Sequence, residues 1–144
     1  GFKGRSREVD RPSLHDAIVG KLGVSPVSIV GEYSMTELSS QLWENVHDPM
    51  ATTLDARRYV PPPWCRVVAV DPETLRPMPP GEVGLLRFVD LASVDSVVAV
   101  QSSDRGMIDD RGVRVLGRAP GATPRGCSLA IEEIEARLAG GPRE

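Results

Sequence analysis

A short apolar run, Val27-Ser28-Ile29-Val30, leads directly into Gly31-Glu32-Tyr33-Ser34-Met35-Thr36-Glu37, and this junction restricts the fold more than any other stretch. The run reads as a buried strand. Beyond the polar stretch, Leu38, Leu42 and Val46 recur at a spacing of four, which predicts one face of a helix. The expected unit is therefore a strand-to-helix turn. Such a turn sets polar side chains and free backbone N–H groups at the carboxyl edge of a sheet, where ligands of open α/β sheets bind. Just inside a helix N-terminus the charge of Glu37 would be favoured by about 0.3–1 kcal/mol. Thr36 and Glu37 suit a first helical turn with no ligand present, so those two residues alone do not establish a site.

The remainder of the chain divides by texture. Upstream, Ser13 is expected to cap a helix, with Asp16 at the capping-box position, a stripe of Leu14, Ala17, Ile18 and Leu22, and Gly23 as its end. Helix, strand, helix is α/β grammar, and a run with three apolar residues in four suits a parallel strand covered on both faces. Pro61-Pro62-Pro63 cannot lie inside a central strand and marks a boundary. Past it, strands are expected at Arg66–Val70, Glu82–Phe88, Ser96–Gln101 and Val113–Leu116. Turns at Asp71-Pro72 and Pro77–Gly81 separate them. That spacing predicts a small antiparallel sheet or barrel. Ile131, Ile134 and Leu138 predict a last amphipathic helix, stopped by Gly140-Gly141. The expected divisions are residues 1–60, 61–116 and 117–144.

Composition narrows the function. With 144 residues, 40% hydrophobic and 26% charged, the chain has the size and balance of one globular domain. Aromatic residues make up 4%, too few for a stacking platform on single-stranded nucleic acid. Net charge is −3 and Lys and Arg form no dense run, which argues against nucleic-acid or anionic-membrane partners. No apolar stretch reaches transmembrane length and no signal peptide is visible. Cys65 and Cys127 form neither a CxxC nor a metal spacing, so a reduced, cytoplasmic setting is expected. The first residues, Gly1-Phe2-Lys3-Gly4-Arg5, read as the middle of a longer sequence.

Three further groups carry chemistry. Asp104, in Ser102-Ser103-Asp104-Arg105-Gly106, follows an apolar strand; a carboxylate there can accept two hydrogen bonds from a ribose diol, each worth ~1.5–3 kcal/mol. The competing reading is a turn Asp that bonds its own backbone. Gly117-Arg118 follows the last strand, where Arg offers a fixed fork of donors or simply sits in solvent. Cys127, flanked by Arg125 and the start of the last helix, has surroundings that would favour a thiolate, or it is a small buried residue. Cys65 beside Trp64 reads as core, Trp43 as packing or the border of a pocket, and His15 and His47 as surface or helix residues.

The string Tyr33-Ser34-Met35-Thr36-Glu37 closely resembles the Tyr-Gly-Met-Thr-Glu turn of the adenylate-forming superfamily, the acyl- and aryl-CoA synthetases. The resemblance implies that Tyr33 lies beside adenine with Ser34 and Met35 in the same turn, that Thr36 contacts the α-phosphate, and that Glu37 holds Mg2+. Ser34 stands where Gly is usual; at positive φ it would cost about 1 kcal/mol or more. Asp104 matches the family's Thr-Gly-Asp, without the Thr and Gly, and would hold ribose. Arg118 matches the Gly-Arg that opens a hinge to a mobile C-terminal domain, which implies that Arg118 contacts ribose or phosphate. The Gly121–Glu135 stretch resembles the family's Gly-x-x-Ile-x-x-x-Glu-Ile-Glu run.

Val89–Ser96, Leu116–Gly121 and Arg125–Leu129 look most like bacterial acyl-protein synthetases, and the likeness runs from Gly1 to about Leu138. It implies ATP-dependent activation of a carboxylic acid, of fatty-acid type, as acyl-AMP and transfer to a thiol. The acceptor would be CoA, a carrier protein or an internal Cys, with Cys127 the candidate. The superfamily's phosphate-gripping Ser/Thr/Gly-rich loop and C-terminal catalytic Lys are not found in this sequence. The chain is therefore expected to be the C-terminal part of such an enzyme, inactive alone and prone to self-association through exposed apolar surface. The alternative is a non-catalytic interaction module built on the same fold.

Overall fold

The computed structural model describes residues 9–122. The expected helix over Ile131–Leu138 and the Cys127 site lie outside them. One helix, α1 (Arg11–Leu22), precedes seven strands: β1 (Glu32–Tyr33), β2 (Leu42–Glu44), β3 (Tyr59–Val60), β4 (Cys65–Val70), β5 (Val83–Asp90), β6 (Ala99–Asp109) and β7 (Gly112–Arg118). They form one sheet in the order β1-β2-β3-β7-β6-β5-β4, and every described pairing is antiparallel. The β3–β7 pairing, Tyr59 opposite Val113, joins the segment before the triple proline to the hairpins after it.

The second half follows its sequence closely. Along β5 burial alternates from Gly84 to Asp90, with Leu86 and Phe88 fully buried, as period two requires of a strand with one covered face. Leu42, Cys65, Leu86, Phe88 and Val113 form the core, with Tyr33, Met35, Leu38 and Tyr59 packed against it. β6 is longer than expected, and Asp104 falls within it.

The first half differs in three places. Val27–Val30 is not a strand: Pro26–Ser28 is a single 3-10 turn, closed by Ser28 N–H to Ser25 O at 2.9 Å. Pro26 sits at the first or second position of that turn, where its missing N–H costs nothing. No helix follows Glu37. Leu42 and Glu44 are buried on one side of β2 while Trp43 points away; a spacing of four satisfies a period of two as well as one of 3.6. Finally, α1 is capped by Asp10, not Ser13. The Asp10 carboxylate accepts from Ser13 N–H at 2.9 Å and from the Ser13 hydroxyl at 2.8 Å. Pro12 in the first turn explains the earlier start. Gly23 ends the helix as expected, in the left-handed region at φ 64°. Leu14, Ala17 and Leu22 are exposed, and the buried member of α1 is His15. The pairing of Arg11 with Glu44 turns that polar side inward.

Candidate functional site

The Tyr33–Glu37 string is the connection between β1 and β2. Leu38 N–H donates to Met35 O at 3.1 Å, so Thr36 and Glu37 form the corners of a tight turn. Both are exposed, as is Ser34, whereas Met35 is half-buried against the core. Among the described residues the only non-glycine residue at positive φ is Leu75. Ser34 thus avoids the strain expected of a Gly replacement. Because no helix follows, Glu37 gains nothing from a helix dipole.

Tyr33 and Asp104, 71 positions apart, meet: the phenol hydroxyl donates to the Asp104 carboxylate at 2.6 Å. The Tyr33 ring stacks on Phe88 at 5.6 Å and 15° and tilts against Tyr59 at 6.0 Å and 56°. Burial, the hydrogen bond to Asp104 and the Asp104 charge together raise the Tyr33 pKa well above that of a free phenol, against the opposing influence of Ser102 and Arg118. The phenol is therefore a fixed donor at neutral pH. Asp104 is aimed by its own strand. Its N–H donates to the Ser102 hydroxyl at 3.1 Å, and that hydroxyl donates to Leu86 O at 2.9 Å. A register shift at Arg105/Gly106 follows at once, and bulges of this kind re-aim neighbouring side chains. Gly106 permits the close approach, since a Cβ there would sit 2.5 Å from Arg114 O.

Arg118 is the cross-strand partner of Asp104 on β7. Ala119 N–H bonds Ser103 O at 2.8 Å, which holds that register past the end of the strand. The fold therefore brings Tyr33, Asp104 and Arg118 together around one point. Thr36 and Glu37 sit on the turn beyond Tyr33, and no hydrogen bond among the described residues ties them to Asp104. A carboxylate has about four acceptor directions. Tyr33 takes one on Oδ2, and Asp104 Oδ1 accepts no hydrogen bond among the described residues. Glu37 has no ion-pair partner among the described residues. No group of three or more His, Cys, Asp or Glu converges among them. Mg2+ keeps most of its waters and needs only one or two carboxylates plus phosphate oxygens, so one exposed Glu is a compatible ligand.

A matching family profile decides the kinship: the acyl-protein synthetase family, LuxE, matches residues 1–135. The chain belongs to this family. A "Long-chain-fatty-acid--luciferin-component ligase" from Aliivibrio fischeri is 24% identical over 147 residues, covering 93% of this chain and 36% of the relative. The chain thus spans about a third of that ligase. Among solved structures, apo MatB from Rhodopseudomonas palustris superposes with a TM-score of 0.52 at 21% identity, over 80% of this chain and 25% of MatB. O-succinylbenzoate coenzyme A synthetase (MenE) from Bacillus subtilis, solved with AMP, gives 0.50 at 19% identity, over 79% of this chain and 25% of that one. These likenesses show that the chain shares its fold with about a quarter of each of these two enzymes.

Several residues around the site belong to no recognisable motif. Phe88 is the floor under Tyr33, and Ser102 orients Asp104. Two fully enclosed carboxylates, Glu44 and Asp90, flank the turn; both stand on core-facing phases of their strands, where a charged residue signals a dedicated partner. Cys65 is buried core as expected. Burial, then the Asp90 charge, push its thiol up to about 11, which leaves it protonated and a poor nucleophile. Trp43, expected as packing or the border of a pocket, is half-exposed and lines a groove of about 400 Å³ with Ser39, Ser40, Pro62 and Trp64. Among the described residues no helix is long and apolar enough to cross a membrane.

Proposed function

We propose that this chain is the C-terminal part of an ATP-dependent acid–thiol ligase of the acyl-protein synthetase type. It would supply nucleotide contacts for forming an acyl-adenylate that is then passed to a thiol. The observation that carries the reading is the Tyr33–Asp104 hydrogen bond. It joins the two motifs that the superfamily resemblance assigns to a single nucleoside, across 71 positions of chain. In this reading Tyr33 flanks adenine, with Ser34 and Met35 shaping its turn. Asp104 accepts from the ribose hydroxyls through its free oxygen. Arg118, opposite Asp104, contributes a cation to ribose or phosphate. Thr36 contacts the α-phosphate and Glu37 supports Mg2+, which would neutralise phosphate charge as the acid's carboxylate attacks phosphorus.

The acid is of fatty-acid type, by kinship with the luciferin-component ligase. The thiol acceptor is CoA, a protein thiol or Cys127. The pyrophosphate grip and the parallel part of the sheet would come from chain outside this sequence, and self-association of the isolated piece would follow from its exposed Trp43, Trp64, Leu91 and Val94. The division at the triple proline and a hinge at Arg118 belong to the same proposal.

The test is ATP–pyrophosphate exchange by the full-length protein. Asp104→Ala and Glu37→Ala are each expected to reduce exchange by about tenfold or more, the loss of one charged hydrogen bond or metal contact. Undiminished exchange in both variants would overturn these assignments. Absence of AMP binding by folded protein would instead support the interaction-module alternative.

A further inference from the structure

The turn that carries Tyr33, Thr36 and Glu37 is gripped at each end by a buried carboxylate. At the leading end stands Glu44, whose side chain is 1% exposed. Its carboxylate accepts from Gly31 N–H at 2.9 Å, and its own N–H donates to Gly31 O at 2.9 Å. Gly31 is thus held on both backbone groups two residues before Tyr33. A Cβ at Gly31 would lie 2.7 Å from Glu44 Cδ, so any other residue there would displace the carboxylate. Two arginines complete the grip. Arg11 of α1 donates to Glu44 Oε1, and Arg57 lies 3.5 Å from Oε2. Arg57 also donates to Ile29 O at 2.8 Å and Pro26 O at 3.1 Å, which secures the approach to β1.

At the trailing end stands Asp90, 0% exposed. It accepts from Ser40 N–H and from the Ser40 hydroxyl, both at 2.8 Å, and from Ala92 N–H at 3.1 Å. Burial alone would raise its pKa; the bonds from Ser40, Ala92 and Ser39 outweigh it and keep the carboxyl below its usual range. Trp64 Nε1 donates to the same Ser40 hydroxyl at 3.0 Å. Ser40 follows Glu37 by three residues.

We propose that Glu44 and Asp90 are positioning residues with divided roles: Glu44 fixes the adenine-facing end of the Gly31–Ser40 segment and Asp90 the phosphate- and metal-facing end. This rests on the nucleotide reading above. Neither carboxylate touches the ligand. Each removes freedom from a short exposed turn that has no helix to brace it, and preordering such a turn lowers the entropy lost on binding.

The experiment measures dissociation constants of adenosine, AMP and Mg·ATP for the full-length protein, with thermal midpoints alongside. Glu44→Gln keeps the shape but removes the charge that pairs Arg11 and Arg57. It is expected to weaken adenosine and AMP about tenfold, the scale of one misplaced contact, and Mg·ATP by the same factor. Ser40→Ala removes the hydroxyl seated on Asp90 without emptying a buried charge site. It is expected to leave adenosine within about twofold and weaken Mg·ATP about tenfold. Equal losses for all three ligands in both variants, tracking the thermal midpoint, would show a merely structural role and overturn the proposal. So would unchanged affinities in both. If the unaltered protein binds none of the three, the nucleotide reading itself fails and this inference with it; normal binding by both variants refutes the inference alone.

Discussion

Replacing Tyr33 with Phe isolates the contact on which the site is built. The ring would keep its stack on Phe88 at 5.6 Å and its tilt against Tyr59 at 6.0 Å, so aromatic packing survives and only the hydroxyl is lost. A hydrogen bond to a charged acceptor is worth ~1.5–3 kcal/mol when both groups are enclosed. Tyr33 and Asp104 are each only partly buried, and water can replace the phenol, so about 1 kcal/mol is expected. In a domain of this size that lowers the thermal midpoint by about 4 °C. The assay is urea denaturation of Tyr33→Phe, Asp104→Ala and the double variant. The cycle should give a coupling of about 1 kcal/mol. The alkaline limb gives a second signature. Tyr33 has a raised pKa when folded, led by burial, so its stabilising contribution is complete below the unfolded phenol value of about 10 and is lost as pH rises above it. Tyr33→Phe should remove part of that loss, leaving the share of Tyr59, which burial also raises. A coupling under about 0.3 kcal/mol, within the additivity error of independent sites, together with an unchanged alkaline limb would refute the contact.

Two more outcomes follow from the same packing. Gly31→Ala should destabilise by about 1–3 kcal/mol in denaturation, since its Cβ meets the Glu44 carboxylate at 2.7 Å and must displace it from Arg11 and Arg57. His15 is buried neutral; desolvation, then the Arg11 and Arg57 charges, lower its pKa against the opposing pull of Glu44 and Asp16. The unfolded chain therefore binds the proton first, and stability should fall as pH drops through about 6.5, a slope that His15→Gln abolishes in thermal scans.

The hairpins after the triple proline were legible because one covered face imposes a strict alternation, plainest in Val83–Asp90. Gly23 was legible as a helix stop because it needs only local backbone freedom. The segment after Glu37 misled because Leu38, Leu42 and Val46 suit either period, and the deciding fact is tertiary: Glu44 turns inward to meet arginines 33 and 13 residues away in sequence. Val27–Val30 is as apolar as a buried strand, but Pro26 ahead of it favours the turn that forms. The resemblance implied only that Tyr33 and Asp104 face one nucleoside; the hydrogen bond between them is a finding of the fold, and no local signal contains it. Glu44 and Asp90 carried a visible sign, acidic residues on inward phases of apolar strands, whose partners only the fold supplies.

The central claim is that Tyr33, Asp104 and Arg118 face one nucleotide. A crystal structure of the full-length protein with a non-hydrolysable acyl-adenylate analogue tests it directly. The account predicts the ribose hydroxyls within hydrogen-bond distance of Asp104, adenine against Tyr33, and the phosphate next to Thr36. An analogue bound elsewhere, with the Tyr33–Asp104 pair facing solvent, would contradict it.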